Sequence, residues 1–238
     1  WYEDDRSRFR FFNDNHEWRQ MDKFGHFYSS YHLGRLGYDL LKPNPNLSEN
    51  TKLWLGGGLG FALLLPIEIL DGFAPEYGAS WGDLGANALG SFTFIAQQKW
   101  VGKPLVQPKF FFWQTRWASQ RPELLGYNFS EELLKDYNGQ TYWLSFDLRG
   151  ITQKRGIPKW LNLAVGYGAE QMVYGSESEN RTNGFRSYRQ YYLAPDLDFS
   201  HVRSRSGVVN GLLWFLRMVK IPTPGLRMDR KGLSVGVF

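Results

Sequence analysis

The stretch LWLGGGLGFALLLPIEILD, Leu53 to Asp71, decides the fold of the first half of the chain. It is almost wholly apolar, yet it ends by carrying two carboxylates, Glu68 and Asp71, into or beside greasy surroundings. An ionised carboxylate removed from water is costly unless it is paired, hydrogen-bonded, metal-bound or protonated. These acids therefore need partners. From Leu53 to Ile67 the 15 residues include only one polar side-chain group, the Trp54 indole. At helical rise that run covers roughly 22 Å, short of the ~30 Å hydrocarbon core of a bilayer. It fits a bilayer-embedded or half-spanning helix packed on another helix, with the buried core helix of a soluble protein as the alternative. Gly56, Gly57, Gly58 and Gly60 lower helix propensity but let a neighbouring backbone come close.

Working outward, a preceding helix is expected from near Glu17 to Leu41, capped by Asn13, Asp14 or Asn15 and stopped by Pro43 and Pro45. Asp22 and His26, four apart, share one face of it. Ser48 (or Asn50 or Thr51) caps the apolar helix, and Ser80 caps a third helix starting at Trp81. Asp83 in its first turn suits the helix dipole, and Asn87 lies on the same face.

Beyond Lys103 the pattern changes to strands. KFFFWQTRW is aromatic, QTYWLSFDL sets Tyr142, Leu144, Phe146 and Leu148 on one side, and WLNLAVGYGA sets Leu161, Leu163, Val165 and Tyr167 on one side. RSYRQYYLAPDLDF is interrupted by Pro195, which predicts an edge strand or bulge. Asp196 and Asp198, two apart, are expected to pair with Arg189 or Arg203. GVVNGLLWFLRMVK reads as an amphipathic helix and GLSVGVF as a last strand. The expected class is α+β: residues 1–103 a membrane-associated cluster of about three helices, residues 104–238 a small antiparallel region with one amphipathic helix. Five or six strands fall below the minimum of about eight for an outer-membrane barrel. A small sheet packed on the helices or on a partner is the expectation.

Composition narrows the function classes. Lys and Arg number 28 against 23 acids, giving +5 spread along the chain. That suits anionic lipid headgroups, while no recognition motif or basic run points to nucleic acid. Aromatic residues make up 17%, as befits a surface at a membrane–water boundary or a large core. Without cysteine there is no disulfide, thiolate metal site or Cys nucleophile. The start at Trp1 rather than Met points to a missing upstream signal peptide, lipid anchor or helix.

Three phrases carry a resemblance: DKFGHF at 22–27, PIEILDGF at 66–73 and SWGDLGANALG at 80–90. Together they resemble the YfiM-like family of predicted periplasmic lipoproteins, of unknown function, and more distantly the VanZ-like membrane proteins. The short family members match about residues 18–98. The second half, with KDYNGQTYWLS and PKWLNLAVGYGAEQM, is similar to a longer branch found in Bacteroidota. The resemblance implies a cell-envelope location, an upstream hydrophobic segment, and recurring polar positions at Asp22, Lys23, His26, Glu68, Asp71, Asp83 and Asn87. It supplies no catalytic residues.

Two readings of these positions compete. His26, Glu68, Asp71 and Asp83 are candidates for a metal or acid–base centre acting on lipid or lipid-linked glycan. The favoured reading is a structural polar network that fixes how three helices pack, with no metal and no cofactor. The sequence contains no HExxH, nucleophile elbow or phosphate loop. The expected role is therefore an accessory or structural subunit of an outer-membrane assembly, on the outer membrane or its periplasmic face. Its expected partners are membrane lipid and outer-membrane proteins.

Overall fold

The computed structural model describes residues 8–75 and 78–238. The chain forms two compact units, Trp1–Pro104 and Leu105–Phe238, and the class is α+β.

The first unit is three helices: α1 (Met21–Leu41), α2 (Glu49–Phe73) and α3 (Trp81–Trp100). Ser48 and Ser80 cap α2 and α3 by accepting from the amides of Thr51 and Asp83. Helix α1 starts later than the Glu17 expected from its caps. Trp18, Arg19 and Gln20 hold left-handed backbone (φ 45°, 51° and 65°), so a short 3₁₀ turn precedes it. Residues 10–12 cross the end of the bundle, where the Phe12 amide donates to the Ala79 carbonyl at 3.0 Å.

Small residues set the helix spacing. A Cβ at Gly60 would run into the carbonyl of Ser30, and one at Gly56 into the backbone of Tyr38. Gly58 faces open space. Between them Tyr31, Tyr38, Leu53, Phe94 and Ile95 form a buried cluster. The opposite face of α2 stays bare: Trp54, Leu55, Leu63, Ile67, Leu70 and Phe73 are all exposed. Of the described helices α2 alone is long and apolar enough to cross a membrane, and only 28% of its apolar window is buried.

The second unit is an antiparallel meander in the order β1-β2-β3-β4-β5-β6. The strands are Val106–Phe112, Gln140–Phe146, Leu161–Glu170, Tyr188–Leu197, Pro224–Asp229 and Gly232–Val237. Short helices α4 (Pro122–Leu125), α5 (Phe129–Lys135), α6 (Leu148–Thr152) and α7 (Glu177–Thr182) lie in the connections, and α8 (Gly207–Leu216) precedes β5. The region thus has more helical turns than the single amphipathic helix expected. Those four are single turns or little more, too short for a periodic signal.

The sheet curls until β1 meets the segment that leads into β5. The Phe110 amide donates to the Met218 carbonyl, and the Lys220 amide to the Phe110 carbonyl, each at 2.9 Å. Residues 218–220 therefore run parallel beside β1, and the same segment continues into β5 next to β4. The result is a short, partly open barrel with β6 hung on β5.

Its two faces are inverted relative to a soluble protein. Inward positions are buried and include the polar Gln107, Lys109, Ser145, Asn162, Gln190 and Asp196 beside an apolar cluster of Trp143, Ala164, Tyr192 and Ala194. Outward positions form apolar rows across the sheet. One runs Phe110, Tyr142, Tyr167, Tyr191, Met228, Leu233; the next runs Pro108, Leu144, Val165, Leu193, Leu226, Val235. Leu233, Val235 and Val237 are 69%, 79% and 67% exposed. Fully burying one such side chain is worth about 1.5–3 kcal/mol, so an aqueous surround would forgo much stability along this face.

Pro195, expected at an edge or bulge, sits inside β4 and pairs with Leu163. Its carbonyl accepts from Thr223 Oγ1 at 2.6 Å, so its missing N–H faces the same side. The β4–β5 register covers only Tyr191 to Leu193, and no ladder bond is lost. In a thermal unfolding series in mild detergent, Gly60→Ala should lower the melting temperature. Gly58→Ala should hold or raise it, by up to about 1 kcal/mol of helix propensity. Equal effects would refute the packing argument.

Candidate functional site

Because α2 ends where α1 and α3 begin, their polar residues gather at one end of the bundle. Lys23, in the first turn of α1, is the hub. Its Nζ lies 2.9 Å and 3.1 Å from the two carboxylate oxygens of Asp83. It stands 3.3 Å from Asp22 and in direct contact with Asp14. Asp14 also accepts from Ser80 Oγ at 2.5 Å, tying the N-terminal segment to the cap of α3.

One turn deeper, His26 Nδ1 lies 3.1 Å from Asn87 Oδ1 and 3.5 Å from Glu68 Oε1. Its Nε2 is 3.7 Å from Asp22 and 4.0 Å from Asp83. Glu68 also receives the Ser80 amide at 3.4 Å. Below them Ser30 Oγ donates to the Asn87 carbonyl at 2.5 Å, and Ser91 Oγ, 2.9 Å from Ser30, accepts from the Phe61 amide.

The charges are unequal by design of the sequence. Asp14, Asp22, Glu68 and Asp83 share one ammonium and one imidazole. Burial, and after it the charge of Asp22, pushes the Asp83 carboxyl well above the usual range, against the pull of Lys23. Burial likewise raises Glu68, opposed by His26. Asp14 is buried too, but hydrogen bonds from Lys23 and Ser80 hold it below its ordinary value. Burial works against the charge on Lys23, yet Asp22 and Asp83 outweigh it and raise its affinity for the proton. Burial thus favours the protonated form of Asp83 and Glu68, while the hydrogen bonds on Asp14 favour its ionised form.

Asp22, His26 and Asp83 each bring one ligand atom within 4.8 Å of the others, which is compatible with a divalent cation. Lys23 already fills the adjoining position on both oxygens of Asp83. An ion would compete with a built-in ammonium, and the donor set therefore favours the lysine-centred network over a metal centre.

The structure brings Asp22, Lys23, His26, Glu68, Asp83 and Asn87 together. Asp71, half-buried one turn after Glu68, bears on Glu68 through its charge. Sequence reasoning missed Asp14, Ser30, Ser80 and Ser91 as members. Asp14 lies outside the helices, so no helical spacing could reveal it. Ser30 follows His26 by about one turn of α1, and Ser91 carries no signal of its own in the sequence.

Residues 10–97 match the family model described as Predicted periplasmic lipoprotein (DUF2279). Over those residues the helical unit is similar to this family. The chain is accordingly a cell-envelope protein of the periplasmic side. No curated protein and no solved structure matches it. The match to the lipoprotein family ends before the sheet begins, and the polar cluster just described falls wholly within it.

A second polar centre lies inside the barrel. Asp196 Oδ2 is 2.6 Å from Lys109 Nζ and accepts from Ser145 Oγ at 2.6 Å, while its Oδ1 is 3.8 Å from Lys220 Nζ. Lys220 also donates to the Ile221 carbonyl and to Thr223 Oγ1, and sits 5.0 Å from the centroid of the Trp143 ring. The pairing of Asp196 with Arg189 or Arg203 expected from sequence is thus replaced by two buried lysines. Asp198 instead lies 3.6 Å from His201. The arginines are nearer along the chain, but Lys109 and Lys220 become neighbours of Asp196 through the closure beside β1.

Lys23→Met should strand buried carboxylates and cost about 3–5 kcal/mol. Adding Asp83→Asn should recover part of that loss, and additive effects in the double variant would refute the pairing. Glu68→Ala should cost about 2–4 kcal/mol if the network is structural, against which wild-type melting would count. In the barrel, burial lowers Lys220 to about 8, with Asp196 opposing. A depressed folded-state value means that stability is fully present above the unfolded value and is lost as pH falls through the folded one. Stability should therefore rise from pH 8 to about 10.5. Lys220→Met should flatten that slope in denaturant titrations across the window.

Proposed function

We propose that the protein is a membrane-associated subunit of the cell envelope, an accessory or structural component of an outer-membrane assembly. One observation carries this reading: the continuous apolar rows on the outer face of the sheet, set over a polar interior. Alternation of apolar-out and polar-in is the arrangement of a sheet that meets hydrocarbon or another protein. Tyr142, Tyr167 and Tyr191 lie side by side in one row, where amphipathic rings suit a lipid–water boundary. The bare face of α2 adds to it. The helix is long and apolar enough to cross a membrane, and its exposed apolar face would meet the lipid.

The lysine within the carboxylate cluster favours a structural role there over chemistry on lipid or lipid-linked glycan. In this reading the polar centre pins the three helices while their outer faces contact lipid and partner proteins.

Two measurements test the reading. Solubilisation in mild detergent should bring stoichiometric envelope partners with the chain, and a purely monomeric protein would count against it. Leu193→Asp combined with Val235→Asp should release the chain from co-floating phospholipid vesicles while its circular dichroism stays unchanged. Unaltered flotation would remove the sheet from the membrane contact.

A further inference from the structure

The order of the sheet leaves β1 and β6 unpaired with each other, and the interior opens between them. A cavity of about 530 Å³ lies there, walled by Phe111 of β1 and Trp113 just past it, Phe238 just past β6, and Trp143 and Tyr192 from within. That size falls within the ~300–1,000 Å³ of small-molecule sites, which favour the mouths of barrels. The rings form one continuous wall: Trp143 and Tyr192 stand 5.3 Å apart, and Tyr192 and Phe238 5.2 Å.

Most polar groups on the lining are already hydrogen-bonded, the buried Nε of Arg227 being an exception. Glu170 accepts from Trp117 Nε1 and Gln190 Nε2, each at 3.2 Å, and from the Tyr188 hydroxyl. Gln190 Oε1 accepts from Tyr192, and Thr141 Oγ1 from Trp143 Nε1. Arg227 is paired with Asp229 at 3.2 Å. A sugar or nucleotide would need these donors and acceptors for itself. An apolar chain needs only the rings, and the cavity adds no net charge that would select a charged ligand.

We propose that this cavity is a binding site for one lipid acyl chain, entering between β1 and β6 with its head group left outside. The proposal rests on the reading that the outer face of the sheet meets lipid, since the opening lies in that wall. Free fatty acid and phospholipid supply the same chain chemistry and are separate arms of the test.

The full chain, purified in mild detergent, would be irradiated with a diazirine-bearing C16 fatty acid or with a phosphatidylethanolamine carrying the same chain, and the label mapped by peptide mass spectrometry. The expected result is one label per chain, on residues 111–113, 141–143 or 237–238, displaced by unlabelled C16 alcohol. Labelling by both probes indicates a membrane lipid as donor; labelling by the free acid alone indicates a soluble fatty acid. Thr141→Trp should cut cavity labelling at least tenfold. If that variant misfolds, the map on the wild-type chain decides. Label confined to the outer rows around Val165, Leu193 and Val235, or insensitive to competitor, would overturn the site. Vesicle flotation of the same preparation separates the two ideas: a chain that labels in the cavity but does not float keeps the site and loses the membrane reading.

Discussion

Both units depend on ammonium groups withdrawn from water and held by carboxylates. Lys23 among Asp14, Asp22 and Asp83 ties the N-terminal segment, α1 and α3 at one point. Lys109 and Lys220 on Asp196 tie β1, β4 and the closing segment at another. Such pairs add little to stability against an apolar replacement, but removing one partner is expensive because the other stays buried and charged. Their effect is on uniqueness: only one arrangement of helices, and one closure of the sheet, satisfies them.

That constraint accounts for the inverted surfaces. Charges drawn to the inside must be compensated there, which uses the interior of the barrel for Lys109, Asp196, Lys220, Ser145 and Asn162. Many aliphatic and aromatic residues of the same strands are left on the outer side, while Trp143, Ala164, Tyr192 and Ala194 pack inside. In the helical unit the division is similar, with Glu68 buried on the inner face of α2 and Leu63, Ile67 and Leu70 exposed on the other. A surface of this kind is unfavourable in water and favourable against hydrocarbon or a protein partner.

The helical unit was largely legible in the sequence. The caps at Ser48 and Ser80, the close approach at Gly56 and Gly60, and the meeting of Asp22, His26, Asp83 and Asn87 on facing helices follow from helical spacing and the cost of bare carboxylates. Asp14 was not legible, because a residue outside periodic structure carries no spacing. Gly58 shows the limit from the other side: it reads like its neighbours, yet it faces open space.

In the sheet, the sequence by itself determined that apolar residues at every second position share a face. It could not say which face turns inward, since a period of two is unchanged when the strand is viewed from behind. The tertiary structure decided that through the pairing of residues 218–220 with β1, which curls the meander so that Lys109, Asp196 and Lys220 point into one space. No local pattern encodes that contact, because its energy comes from groups more than a hundred residues apart that become neighbours only when the barrel closes.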